Sequence, residues 1–288
     1  MANGILESLD GKLERCSINT ATLGHRESLR ITVDRIARAG FGSIAPWRSE
    51  VESCDVHALS RQIKDAGLSV SGYCRSTYIP ALSLTEFKAN VEGNKKALHD
   101  AGVLEARCFV MVVGGIPVGS QDLAGARTQV RDAVAELLNV AKEVGVPLAL
   151  EPLHPVYAAN RSVLNTLGQA LQWCDDIDPD RSGYLGVAID AYHCWWDPDL
   201  AQGIASAGNA KRILAYHVCD WLHDTQDFLL DRGMMGDGVI DLPELRRLVE
   251  AAGYVGSVEV EIFSKENWWK RDAEEVLSIC AKRLQTVC

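Results

Sequence analysis

Leu185-Gly186-Val187-Ala188-Ile189-Asp190 is a short apolar run with strand character that ends in a carboxylate. Three other stretches are built the same way: Pro147-Leu148-Ala149-Leu150-Glu151, Ile213-Leu214-Ala215-Tyr216-His217 and Val258-Glu259-Val260-Glu261. An apolar β run buries its side chains, so an ionisable group at its carboxyl end, repeated four times, asks for a shared reason. A single metal centre supplies one. The gaps between Glu151, Asp190, His217 and Glu261 are 39, 27 and 44 residues, each enough for a strand, a loop, a helix and the next strand. Parallel strands joined by crossover helices point their carboxyl ends the same way, and in a closed barrel those ends converge on one mouth. Two Glu, one Asp and one His form a hard, oxygen-rich set. It suits Mn²⁺ or Mg²⁺, with Co²⁺, Fe²⁺ or Zn²⁺ as alternatives, and differs from a thiolate zinc site.

The chain length of 288 residues is close to that of one (β/α)₈ barrel with short extensions. The expectation is one TIM barrel over residues 1–288, with the metal site at the carboxyl ends of its fifth to eighth strands. A content of 47% hydrophobic and 24% charged residues allows a large core and shows no disordered or linker-like segment. The longest apolar runs are strand-sized, and the first residues lack a basic segment followed by an apolar one, so neither export nor a membrane partner is expected. Nine cysteines form no CxxC pair and sit mostly in apolar runs, which reads as packing in a reducing cytoplasm. A formal charge of −10 disfavours nucleic-acid binding, which needs a basic face.

The rest of the chain keeps the same beat. Strands are expected at Cys16-Ser17-Ile18-Asn19-Thr20, Phe41-Gly42-Ser43-Ile44-Ala45, Leu68-Ser69-Val70-Ser71-Gly72-Tyr73 and Cys108-Phe109-Val110-Met111-Val112-Val113. Helices are expected over residues 28–40, with Leu29, Ile31, Val33 and Ile36 on the apolar side, and over 56–67, 85–102, 122–144 and 162–174. A shorter helix near Leu200, one opened by Leu242-Pro243-Glu244 with Asp241 as N-cap, and one over 272–284 complete eight units. Three successive helices end in Ala-Gly, at Gly40, Gly67 and Gly102, where glycine suits a left-handed cap. An open doubly wound sheet would want a Gly-rich phosphate loop after its first strand, and none follows Asn19-Thr20.

Several pieces in the second half resemble the xylose isomerase-like TIM barrels, the broad sugar phosphate isomerase/epimerase family. They are Leu150-Glu151-Pro152, Asp190-Ala191-Tyr192-His193, His217-Val218-Cys219-Asp220-Trp221, Gly236-Asp237-Gly238-Val239-Ile240-Asp241, and Gly253-Tyr254-Val255-Gly256 leading to Val260-Glu261-Ile262-Phe263. The resemblance implies metal ligands at Glu151, Asp190, His217 and Glu261, and a substrate-contacting His193. Glu259 and Glu261 share a strand face, and the resemblance selects Glu261, the glutamate immediately before the apolar pair Ile262-Phe263. Glu259 would lie one layer deeper. Where the family often carries an acidic residue after the second strand, this chain has Ala45-Pro46-Trp47-Arg48.

Further residues near these strand ends are candidates for substrate contact: His154, Asp220, Trp221 and Arg232. Each also has a plain reading, as a polar surface group, a loop cap, packing or a solvated cation. Trp195-Trp196, Trp221 and Trp268-Trp269 could wall the pocket. Exposed Trp and Met in the long loops would favour a homo-oligomer, and a separate small partner subunit is compatible with one chain. Such a centre fits a divalent-metal-dependent sugar isomerase or epimerase acting through a metal-bound enediolate, with Glu151 and Glu261 exchanging the proton beside His193. The alternative is a lyase or dehydratase eliminating a β-substituent from a 3-keto sugar, keto-inositol or oxidised C-glycoside. Further alternatives are an abasic-site endonuclease, disfavoured by the acidic charge, and a non-catalytic sugar-binding protein. Arg75 and Arg232 read as isolated arginines, which favours an unphosphorylated substrate.

Overall fold

The computed structural model describes residue 9 and residues 11–288. Nine parallel strand segments form its sheet: β1 (Cys16–Asn19), β2 (Ser43–Ala45), β3 (Ser69–Val70), β4 (Tyr73–Cys74), β5 (Phe109–Met111), β6 (Leu148–Leu150), β7 (Leu185–Asp190), β8 (Ile213–Val218) and β9 (Val258–Val260). Their order is β3-β2-β1-β9-β8-β7-β6-β5-β4. β3 and β4 are two halves of one interrupted strand, the first paired with β2 and the second with β5. Ser71 N donates to Ile44 O at 3.0 Å and Cys74 N to Pro46 O at 3.3 Å, carrying the interrupted strand past β2 and closing the ring. The fold is a (β/α)₈ TIM barrel whose third strand is broken, which is why nine segments stand where eight strands are expected.

Among the described residues eight longer helices alternate with the strands: α1 (Leu29–Arg38), α2 (Val56–Asp65), α3 (Leu84–Val103), α4 (Leu123–Val144), α5 (Leu167–Ile177), α6 (Leu200–Asn209), α7 (Leu242–Ala251) and α8 (Ala273–Val287). Their starts are chemically marked. Asp122 accepts from Gly125 N at 2.7 Å and Asp241 from Glu244 N at 3.1 Å, each satisfying an otherwise unpaired N–H of a first turn. Each helix turns an apolar side onto the strands, and fully burying one Leu, Val or Ile there stabilises the fold by about 1.5–3 kcal/mol. None of the described helices is long and apolar enough to cross a membrane.

Three local expectations are corrected. The helix after β6 begins at Leu167 and not at residue 162, because the intervening loop has its own side-chain bonds. Asn165 Nδ2 donates to Leu153 O and Ser162 O, and Thr166 then caps the helix. Gly40 and Gly67 hold φ of 88° and 77°, but Gly102 lies inside α3, with Glu105 at φ 53° beyond the helix end. A Cβ on Gly102 would stand 3.2 Å from Val144, so this glycine serves helix packing. Ile31 is 47% exposed, and Thr32 takes its place on the buried side of α1.

Inside the barrel the amino-terminal layer is polar. Ser17 bonds Ser71 at 2.6 Å, while Ser43 bonds Ser69 at 2.8 Å and Ser257 at 3.2 Å. Above it lie small side chains, including Cys108, Val110, Ala149, Ala188 and Ala215. Small residues there leave room for the larger ionisable groups nearer the carboxyl ends.

Candidate metal centre

Strand pairing sets the level of the site. Asp190 pairs with His217, and His217 with Glu259, across β7, β8 and β9. Glu151 follows β6 and Glu261 follows β9, their amides donating to Met111 O and Val218 O, both at 3.1 Å. Glu151, Asp190, His217 and Glu261 are all buried, and one potential ligand atom from each lies within 4.8 Å of the others. His217 Nδ1 is 3.0 Å from Glu151 Oε1.

Other side chains hold this cluster in place. Asn19 Nδ2, at the end of β1, donates to Glu261 Oε1 at 2.9 Å and Glu259 Oε1 at 3.0 Å. Ser71 Oγ donates to Glu259 Oε2 at 2.7 Å, exactly at the interruption between β3 and β4. Asp190 Oδ1 accepts from Tyr192 N at 2.8 Å. Arg232 Nη1 bridges Asp190 Oδ2 at 3.2 Å and Glu261 Oε2 at 3.1 Å, its guanidinium lying over Tyr192 and Phe263. Asn19 and Ser71 carried no site signal in the sequence, because a polar residue in a strand acquires this role only through its neighbours across the barrel.

The electrostatics suit a cation. Burial pushes Glu261 up to about 8, against the pull of Arg232 and with the help of Glu151. Burial opposes charge on His217, yet Glu259, Glu151 and Glu261 hold it well above the ordinary imidazole range. For Asp190 burial acts upward, but His193, Arg232 and His217 keep it below the usual carboxylate value. Burial drives His193 down to about 3 despite Asp190, leaving a neutral ring. Closely spaced buried carboxylates repel one another unless a proton or a cation intervenes, and three carboxylates with one imidazole form a donor set that fits a divalent ion.

Beside this cluster is a cavity of about 410 Å³, counting its open mouth. Glu151, Glu261, His193 and Arg232 line it, with Trp47, Tyr157 and Phe263 as its aromatic walls. The expected tryptophan wall is therefore replaced. Trp221 stacks on Tyr192 at 4.6 Å and packs against His154 at 4.7 Å, outside the cavity lining. Asp220 also lies outside it, accepting from Trp221 N, Gly236 N and Ile240 N and so pinning the loop after β8. Met234 and Met235, expected at the surface, are fully buried. Arg75 is not isolated either, since Arg161 and Arg232 line the same cavity.

Comparison with known proteins gives a concordant result. The family model described as xylose isomerase-like TIM barrel matches residues 33–280. An inosose isomerase of Halalkalibacterium halodurans is 28% identical over 153 residues, 51% of this chain and only 49% of that relative, so the match spans about half of its length. The L-ribulose 3-epimerase of Mesorhizobium japonicum is 25% identical over 255 residues, 84% of this chain and 77% of the relative. The crystal structure of protein SMc04130 from Sinorhizobium meliloti superposes with a TM-score of 0.92 at 47% identity, covering 96% of this chain and 99% of that one.

Proposed function

The chain belongs to the xylose isomerase-like TIM barrel family, and from that premise we propose a divalent-metal-dependent isomerase or epimerase acting on a ketose or related polyhydroxy carbonyl compound. The observation that carries this reading is the presence of two glutamates, Glu151 and Glu261, on the wall of the cavity beside a four-donor cluster. Glu151, Asp190, His217 and Glu261 would hold the ion, Mn²⁺ first and Mg²⁺, Co²⁺, Fe²⁺ or Zn²⁺ in its place. When bound, such an ion supplies Lewis-acid polarisation of a carbonyl and its neighbouring hydroxyl.

The protein's own groups do the rest. Neutral His193 and charged Arg232 face the cavity and orient substrate oxygens. One of the two glutamates takes the proton from the carbon next to the carbonyl, and the same or the other glutamate returns it. Return to the same carbon from the opposite face inverts a stereocentre; return to the neighbouring carbon moves the carbonyl. Trp47, Leu153, Leu229 and Phe263 restrict water around this transfer.

The test is solvent exchange in D₂O with metal-loaded protein and a panel of ketoses, keto-inositols and 3-keto glycosides. At least one compound should acquire deuterium next to its carbonyl, with a changed stereocentre or a shifted carbonyl. An unsaturated ketone with a released leaving group would mark the lyase alternative. No exchange in any compound, with the metal site filled, would sink the reading.

A further inference from the structure

Three arginines line the cavity, and they are not alike. Arg232 is engaged by Asp190 and Glu261. Arg75, just after β4, donates through Nη1 only to the adjacent carbonyl of Ser76 at 3.2 Å, and its Nε is buried with no partner. Its guanidinium lies 4.5 Å from the ring centre of Tyr78 and 5.9 Å from that of Trp47. Arg161, in the loop after β6, lies 5.7 Å from the ring of Tyr157. Among the described residues neither Arg75 nor Arg161 has a carboxylate within ion-pairing distance, whereas Arg48 in the adjoining cleft is paired with Glu52. Burial, more than any neighbouring charge, pushes Arg75 down, with Tyr78 acting against it and Arg161 adding to it.

Half-buried cations resting on aromatic faces, with donors unused and no counter-charge, form a receptor for an anion. The same cavity also carries Glu151 and Glu261, which would repel one. The cavity thus offers an anion two places of opposite character, the unpaired arginines and the glutamates.

We propose that the substrate carries a terminal anionic group, a carboxylate or a phosphate, held by Arg75 and Arg161 while its carbonyl end lies against Glu151 and Glu261. This rests on the reading of the cavity as the substrate pocket, and it replaces the expectation of an unphosphorylated substrate. The two arginines fix which end of the chain enters first and so which carbon meets the glutamates.

The test measures binding without turnover. Erythronate, erythritol 4-phosphate and neutral erythritol are titrated calorimetrically into the metal-loaded full-length protein, at low and high KCl. At low salt one anion should bind roughly tenfold or more tightly than erythritol, and the advantage should shrink with salt. Which anion wins separates carboxylate from phosphate. Arg75→Gln with Arg161→Gln should bring that anion to the level of erythritol, and Arg75→Lys should keep part of the advantage. Equal or undetectable binding of all three by wild-type protein overturns the proposal, and this arm does not depend on the variants folding. An advantage that survives in a folded double variant also overturns it, since the anion would then be held at the metal. An intact, arginine-dependent preference in a protein without solvent exchange would sink the isomerase reading alone.

Discussion

The imidazole of His217 turns its Nε2 toward Glu259 Oε1 at 3.6 Å, with no closer polar partner. Its Nδ1 faces Glu151, so Glu259 acts on the outer side of the ring. When a cation displaces the proton on Nδ1, a carboxylate there keeps the other proton on Nε2 and leaves the Nδ1 lone pair for the ion. Glu259→Gln should therefore keep the metal but weaken its affinity by about 10–100-fold. Glu261→Gln, Glu151→Gln and Asp190→Asn should each lower metal content and activity far more. Metal titration of the four variants checks this, and a larger loss in Glu259→Gln than in Glu261→Gln would reverse their roles.

Metal binding should release a proton from Glu261. Its pKa rises from 4.5 to about 8, mainly through burial, so the metal-free protein carries that proton at neutral pH. The sign follows: relative to an unfolded chain, the site contributes stability below about pH 4.5 and loses it as pH rises through about 8. A cation reverses this, because it needs the deprotonated group. Metal affinity should climb as pH rises toward about 8, with His217, also held protonated, adding to the climb. Calorimetry in buffers of different ionisation enthalpy counts the protons released. A pH-independent affinity over about two pH units below the Glu261 value would contradict it.

The ionisable ends of the later strands could be read from the sequence because a charge closing an apolar run is anomalous on its own. The helices could be read because their caps and apolar spacing are local. What stayed hidden depends on partners far away in sequence. The break in the third strand is one case, where Ser71 turns to bind Glu259 and a Cβ on Gly72 would stand 3.8 Å from that carboxylate. Arg161 is another: a lone arginine in a loop acquires meaning only when Arg75, from a different strand end, faces the same cavity. Trp221 misled for the converse reason, since its position after a ligand-bearing strand is right for the pocket while its ring packs outward on Tyr192 and Phe228.

Two glycines should respond oppositely to alanine. A Cβ on Gly42 would fall 2.1 Å from Glu14 O, a backbone atom, so the chain before β2 must move. Gly42→Ala should cost about 2–4 kcal/mol, within the range for steric overpacking and backbone effects. Gly168, in the first turn of α5, has nothing within 4 Å of such a Cβ. Gly168→Ala should be neutral or stabilise by up to about 1 kcal/mol through helix propensity. Thermal or denaturant unfolding of both variants decides, and a destabilised Gly168→Ala would show a neighbour that this packing lacks.

Arg232 stands where a cation would compete with it. Its Nη1 contacts both Asp190 Oδ2 and Glu261 Oε2, so it offsets the charge of Asp190 in the absence of metal, while its Nη2 lies 3.1 Å from His193 Nε2 on the cavity wall. Arg232→Met keeps an apolar body against Tyr192 and Phe263 but removes the positive charge. Two opposite effects should follow: metal affinity holds or rises as a repulsive charge is lost, while kcat/KM falls by about 10²–10³ because oriented hydrogen bonding is lost. Arg232→Lys should recover only part of the activity, since one ammonium cannot bridge two carboxylates and reach His193 with a planar fork. Metal titration alongside kinetics separates the roles. A folded Arg232→Met that cannot bind metal would show that the arginine builds the site, whereas unchanged kinetics with tight metal would remove it from substrate orientation.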